Sequence, residues 1–245
     1  MGNDDILRGR VLTRREALTL IGAMGMSGVL LYAGCSSATE PTSDTTGSCV
    51  VRPELTEGPY YVDEELNRSD IRSDPSNGTV KPGALLQLTF NVSQVTGSAC
   101  AALAGAVVDV WHCDALGVYS DVSDPSFNTV GQKFLRGYQV TDANGVASFT
   151  TIYPGWYQGR AVHIHFKVRS ASSSSSAYEF TSQLFFDDTL TDRVHAQQPY
   201  AAKGQRTLRN SGDGIYQQGG SQMLLSVSQA SDGYAATFDI ALQTA

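Results

Sequence analysis

Within nine residues, Tyr157-Gln158-Gly159-Arg160-Ala161-Val162-His163-Ile164-His165 brings together two imidazoles, a phenol and a guanidinium. These side chains are the vocabulary of a metal site. If the β-branched and aromatic run Ala161 to Val168 is a strand, His163 and His165 point to one face. Their Cα atoms would then lie about 6.5 Å apart, and two ring nitrogens can share an ion. A His-X-His pair also occurs as a plain polar stripe on a half-buried sheet. Scarcity weighs against that here: the chain has 4 histidines in 245 residues, and two of them stand just after Pro154-Gly155, beside Tyr157 and Arg160. A second tyrosine, Tyr119, closes the run Val110-Trp111-His112-Cys113-Asp114-Ala115-Leu116-Gly117-Val118-Tyr119, beyond a strand and a Gly-containing turn.

The elements that must hold these residues read as strands. Leu86, Leu88, Phe90 and Val92 alternate with polar neighbours, as do Tyr234, Ala236, Phe238 and Ile240 near the end. A period of two marks half-buried strands. Ala106 to Trp111, Leu135 to Thr141, Val146 to Thr150, Val162 to Val168 and Tyr178 to Phe186 are further candidates, separated by turn sequences such as Asp142-Ala143-Asn144-Gly145 and Tyr153-Pro154-Gly155. No long amphipathic helical pattern follows residue 35. The expected fold class is all-β, a β-sandwich with long irregular loops. Ser170 to Ser176 reads as a hairpin loop without chemistry, and Asp187 to Gly220 as irregular structure wrapped around the sandwich.

Ahead of this domain, Thr13-Arg14-Arg15-Glu16-Ala17-Leu18 and the mildly apolar stretch to Gly34 resemble a twin-arginine export signal over residues 1–35. Leu31-Tyr32-Ala33-Gly34-Cys35 also looks like a bacterial lipoprotein processing site, in which case a lipidated Cys35 would attach the protein to a membrane. Residues 36–48, rich in Ser and Thr, read as a flexible linker, and the folded domain is expected over 49–245. Export would place the protein outside the cytoplasm, at the cell surface, in the periplasm or beyond the cell. There Cys49, Cys100 and Cys113 allow one disulfide, with Cys49–Cys100 one pairing and pairs involving Cys113 left open. The net charge is −7, and removing residues 1 to 34 leaves 13 basic against 21 acidic groups. That balance argues against a nucleic-acid partner.

Taken together, Trp111 through Tyr119, the Gly137 to Thr151 hairpin, Pro154-Gly155-Trp156-Tyr157 and Arg160 through Phe166 resemble the intradiol ring-cleavage dioxygenases, over roughly residues 49 to 245. The resemblance implies a mononuclear non-haem Fe(III) held by Tyr119, Tyr157, His163 and His165. Two phenolates and a hydroxide would neutralise the ion, and hard oxygen donors favour the ferric state. It implies a catechol-type substrate that displaces the hydroxide and Tyr157 as it binds, reacts with O2, and leaves as a cis,cis-muconate-type product. Arg160 matches a cation that stabilises charge developing on the ring, and Gln183 matches a further position beside the site. Thr56-Glu57-Gly58-Pro59-Tyr60-Tyr61 resembles a family segment at the substrate mouth, and reads equally well as a rigid turn. His112, His195 and Trp156 match no ligand and are read as structural. Gly159 stands where relatives can carry an aromatic side chain, which bears on substrate size. The helical dimerisation region of cytoplasmic relatives is not visible, so the oligomeric state is left open.

Two other readings compete. The strand and turn pattern from Leu103 to Val110 and Thr141 to Gly155 also fits a noncatalytic, transthyretin-like binding module, which has no use for Tyr119, Tyr157, His163, His165 and Arg160 together. A divalent ion activating water for hydrolysis would instead call for carboxylate donors.

Overall fold

The computed structural model describes residues 49–97, 99–171 and 177–243. The export-signal and linker readings and most of the Ser170 to Ser176 loop lie outside these residues. Among them, no helix is long and apolar enough to cross a membrane.

Two sheets pack face to face. One is built on β1 (Leu85–Thr96), which pairs with β2 (Ala99–Ala102) and with β7 (Val146–Ile152), both antiparallel, and on its other edge runs parallel to β11 (Gly233–Leu242), with β10 (Val227–Ala230) outermost. The other has the order β6 (Arg136–Val140), β3 (Val107–Trp111), β8 (His163–Arg169), β9 (Glu179–Phe185). A small ribbon of β4 (Ser123–Asp124) and β5 (Phe127–Asn128) stands apart.

The alternation read in the sequence decides which face meets which. Leu86, Leu88, Phe90 and Val92 are at most 1% exposed, and Ala236, Phe238 and Ile240 lie beside them across the parallel pairing. Phe90 contacts Phe149, Phe238 and, from the opposite sheet, Phe166, with ring centroids 5.2–6.2 Å apart. Burying rings of this size contributes roughly 2–3 kcal/mol each, and Phe166 joins the two sheets through this cluster. On β8, Ile164, Phe166 and Val168 enter that core, and the period of two therefore sends His163, His165 and Lys167 to the far face. Long loops cover that face, which is why every residue of β8 up to Val168 is buried.

Two expectations are corrected. The Gly137 to Thr151 segment is not a paired hairpin: β6 and β7 belong to different sheets. Its turn chemistry is as read, with Asp142 Oδ1 accepting from the Asn144 and Val146 N–H groups and Gly145 at φ +75° against the Val92 carbonyl. It makes a corner between sheets. The Asp187 to Gly220 stretch holds one helix, α1 (Asp188–His195), capped by Asp187 Oδ1 accepting from Leu190 N at 2.8 Å. Only Leu190 and Val194 give it an apolar stripe, too short for periodicity to register. Short 3-10 turns fill much of the remainder, among them Tyr200–Lys203 and Asn210–Gly212.

Cys49 is bonded to Cys100 on β2, tying the start of the domain to the sheet, while Cys113 is buried and free. The bridge closes a sequence separation of 51 residues. In the chain-entropy account a loop of that size is worth about 4 kcal/mol, with measured values commonly lower. The Cys49→Ala, Cys100→Ala double variant is expected to lose about 2–4 kcal/mol in urea unfolding with its native spectrum intact. A loss below about 0.5 kcal/mol would show that strand pairing alone secures this edge.

Candidate metal centre and active site

Three loops close over the outer face of β8. The first leaves β3 at Trp111 and turns back at Asp114, whose Oδ1 accepts from Leu116 N at 2.9 Å and Val118 N at 3.0 Å. Gly117, at φ +78°, permits the tight turn, and a Cβ there would overlap the Trp156 carbonyl. The second loop carries Pro154 to Tyr157 and is pressed against the first, because a Cβ on Gly155 would overlap the Ala115 carbonyl. These two glycines set the spacing between Tyr119 and Tyr157. The third, Glu57 to Tyr61, lies across the top. Gly58, at φ +73°, packs on His165, where a Cβ would come within 3.2 Å of Cε1.

Under these loops four donor atoms converge. His163 Nε2 lies 3.0 Å from His165 Nε2, 3.2 Å from the Tyr157 hydroxyl and 3.5 Å from the Tyr119 hydroxyl. His163 Nδ1–H donates to the Ala161 carbonyl at 2.7 Å, which leaves Nε2 as the lone-pair nitrogen facing the other three. Trp111 stacks on the His165 ring at 5.0 Å and 9°, and Tyr60 lies 4.7 Å from Tyr119. Tyr119, His163 and His165 are buried, whereas Tyr157 is half-buried at the edge of the group.

Burial dominates the electrostatics. It pushes the Tyr119 phenol well above its ordinary value, with Tyr157 adding to the effect, and raises Tyr157 as well. It lowers His163 to about 3 and His165 well below the ordinary imidazole value, with Arg160 acting in the same direction on both. Neutral imidazoles with inward lone pairs and two buried phenols form a site that a highly charged cation would complete, since only a strong Lewis acid ionises phenols held this high. Two oxygen and two nitrogen donors fit ferric iron in type and number. Among the described residues no three His, Cys, Asp or Glu side chains gather as an alternative metal site.

Arg160 borders the group. Its Nε donates to Asp213 Oδ2 at 2.9 Å and its Nη2 to Gln183 Oε1. Gln183, fully buried and opposite His165 in the β8–β9 register, donates from Nε2 to the Thr56 carbonyl at 2.7 Å. It therefore ties Arg160 to the covering loop. Asp213 Oδ2 also accepts from Ala161 N at 2.7 Å. Burial pushes the Asp213 carboxyl up, but the Ala161 N–H and the Arg160 charge outweigh it and hold the group below the usual carboxylate range. Asp213 had no sequence signal beyond a turn-forming Asn210-Ser211-Gly212-Asp213-Gly214 run, and it lies 53 residues from Arg160.

The structure thus gathers Tyr119, Tyr157, His163, His165, Arg160 and Gln183 into one place. It keeps the other histidines apart. His112 is fully buried between Thr151 Oγ1 (2.6 Å) and the Cys113 carbonyl (2.8 Å), and burial lowers it to about 4. His195 bonds the Pro154 carbonyl and stacks on Tyr200. Outside the tyrosine pair opens a cavity of about 430 Å³ whose walls include Tyr60, Phe127, Trp156 and Tyr157. Tyr60 is accordingly a wall as well as part of a turn; its hydroxyl donates to Asp124 at 2.6 Å, and burial together with Asp124 pushes it up to about 12. Trp156, read as packing, is also a wall. Gly159 takes φ +85° and has open space where a side chain would stand.

Comparison with known proteins gives the family. The Dioxygenase family model matches residues 56–244. Catechol 1,2-dioxygenase 2 of Acinetobacter lwoffii is 34% identical over 155 residues, 55% of this chain and 51% of the relative. Chlorocatechol 1,2-dioxygenase of Pseudomonas putida is 32% identical over 152 residues, 54% of this chain and 55% of the relative. The chain spans about half the length of these curated relatives. Among solved structures, an intradiol ring-cleavage dioxygenase from Tetranychus urticae superposes with a TM-score of 0.69 at 29% identity, covering 80% of this chain and 95% of that one. The dioxygenase domain of a dioxygenase carbohydrate-binding protein fusion from Streptomyces sp. SirexAA-E gives 0.55 at 26%, covering 80% and 100%. With a family model matching most of its length and a fold shared with solved dioxygenases, the chain belongs to the intradiol ring-cleavage dioxygenase family.

Proposed function

We propose that this protein cleaves a catechol-type aromatic between its two hydroxyl-bearing carbons, using O2 at a non-haem Fe(III) held by Tyr119, Tyr157, His163 and His165. The observation that carries the reading is the convergence of two phenol oxygens and two imidazole nitrogens on one buried point beside an open cavity. Bound there, ferric iron supplies a Lewis acid that can chelate both catechol oxygens and bring the electron-rich ring together with O2.

The chain's own residues do the rest. The Ala161 carbonyl holds the His163 tautomer, and Trp111 fixes the plane of His165. Tyr157, at the edge of the group, would as the metal's phenolate be the base that takes a catechol proton at its phenolic oxygen; buried Tyr119 is placed to stay. Arg160, held by Asp213 and Gln183, presents a fixed cation to negative charge that develops on the ring. Tyr60 and the Glu57 to Tyr61 loop keep bulk water from the reacting carbons. Carboxylate-based hydrolysis lacks its donors among the described residues, and a noncatalytic module leaves the convergence without a purpose.

The test is turnover of catechol by the iron-loaded full chain under 18O2. The expected product is a muconate carrying both labelled atoms; oxygen consumption without a ring-opened product, or cleavage outside the diol carbons, would contradict the reading. Asp213→Asn is expected to keep its iron and lower kcat by about ten- to a hundredfold with little change in KM, because the buried carboxylate that orients Arg160 is lost. Steady-state kinetics with metal analysis check this, and an unchanged kcat would show that Arg160 does not depend on Asp213 for its position.

We also propose that the protein works outside the cytoplasm, exported through the twin-arginine-type segment 1–35, and that any membrane attachment would run through a lipidated Cys35. The Cys49–Cys100 disulfide supports it, since such bonds persist in oxidising compartments.

A further inference from the structure

We propose that Lys203 is a specificity-determining residue that selects catechols bearing a carboxylate side chain, with the ring at the tyrosine pair and the side chain running out along the cavity. This rests on the ring-cleavage reading and adds to it the class of substituent.

Charge pairing across the molecule singles out this lysine. Lys81 pairs with Asp114, Lys133 with Glu64, and Lys167 with both Glu57 and Glu179. Lys203 is the one lysine among the described residues with no carboxylate at ion-pair distance, and it is half-buried in the cavity wall. Asp114 acts on it only from beyond ion-pair distance and is itself paired with Lys81, so an anionic ligand in direct contact would offset the cost of withdrawing the ammonium from water.

The ammonium is held in place. One N–H donates to the Leu116 carbonyl, and Nζ lies 5.0 Å from the centre of the Trp156 ring. A Cβ on Gly117 would overlap Nζ, so glycine at 117 makes its room. The Tyr200–Lys203 turn that carries it is anchored by the buried Tyr200 hydroxyl, which donates to the Tyr153 carbonyl at 2.7 Å and accepts from Ala84 N at 2.9 Å. Trp156 Nε1 donates to the Gly204 carbonyl at 3.1 Å. Lys203 therefore touches the loop of Tyr119 and the residue next to Tyr157, with two N–H donors left for a ligand.

The other charged group of the wall is already engaged: Asp124 accepts from the Tyr60 hydroxyl at 2.6 Å and from Ser126 N at 2.8 Å. At about 430 Å³ the cavity has the size of sites that take ligands larger than one ring, and its faces at Tyr60, Phe127 and Trp156 suit an aromatic or unsaturated chain.

The experiment compares 3-(3,4-dihydroxyphenyl)propanoate with its primary amide, on the iron-loaded full chain and on its Lys203→Met and Lys203→Arg variants. Binding is measured anaerobically by calorimetry, and kcat/KM in air. The wild type is expected to favour the acid about tenfold, or about 1.4 kcal/mol, mainly through Kd and KM. Lys203→Met should erase that preference and Lys203→Arg retain it. Equal binding of acid and amide by the wild type, or a preference that survives Lys203→Met, would overturn the proposal. If the wild type binds both compounds and cleaves neither, the ring-cleavage reading fails while the binding ratio still decides the role of Lys203.

Discussion

His163→Ala is expected to purify folded and without iron, and to show no ring cleavage. His163 Nε2 is the hub of the donor group, within 3.5 Å of the other three donor atoms, and its lone pair is aimed inward by the bond from Nδ1–H to the Ala161 carbonyl. Partners that merely orient a metal ligand cost 10–100-fold in affinity when lost, and removing a ligand itself should cost more than about a hundredfold. The backbone of β8 stays paired to β3 and β9 on both sides, so the sandwich survives the substitution. Iron per chain by elemental analysis, with a circular dichroism spectrum as the folding check, tests this. Iron-free protein that retained full activity would rule out the proposed centre.

The second large effect is expected for Tyr157→Phe, which should keep most of its iron, lose about half of its visible absorption, and fall by about 10²–10⁴-fold in turnover. Three donors remain, so the ion stays. One of two phenolates is gone, so the tyrosinate-to-iron absorption drops with it. What turnover loses is a proton acceptor at the cavity edge: Tyr157 is the half-buried one of the pair, beside Arg160 and open to the cavity, whereas Tyr119 is buried. The matching Tyr119→Phe variant should lose iron more readily, because its phenol lies inside the group. Equal effects of the two substitutions on turnover and iron content would contradict the division of roles between them.

How much of this was legible in the sequence depends on the distance each inference had to cover. His163 and His165 are two residues apart on a strand, so a period of two was enough to put them on one face. The alternation at Leu86 to Val92 and at Phe238 to Ile240 likewise marked buried faces without help from distant partners. That these strands run parallel and adjacent was not legible, since Phe90 and Phe238 meet across nearly the whole domain and parallel pairing has no turn to announce it. The Asp142 to Gly145 turn was read correctly as local chemistry and wrongly as a hairpin. Asp and Gly specify how the chain bends, not whether the strands leaving the bend share a sheet.

The site divides in the same way. Tyr157 and Arg160 stood out beside the histidines in one nine-residue run and Tyr119 as a second tyrosine past a turn; their roles, and Gln183, came from family resemblance, and the structure brings all four together around the two histidines. Asp213 and Lys203 did not, because a lone carboxylate or ammonium in an irregular stretch acquires meaning only from what the fold sets against it. Asp213 is fixed by Arg160 and the Ala161 N–H, and Lys203 is defined by the Trp156 face and the Leu116 carbonyl.

The most direct test of the central claim is the visible absorption spectrum of the purified protein with iron quantified, recorded before and after anaerobic addition of catechol. One iron per chain with a red-brown tyrosinate-to-Fe(III) band that shifts as catechol binds is the predicted result. A protein that remains colourless after ferric reconstitution would contradict the assignment of Tyr119, Tyr157, His163 and His165 as an iron site.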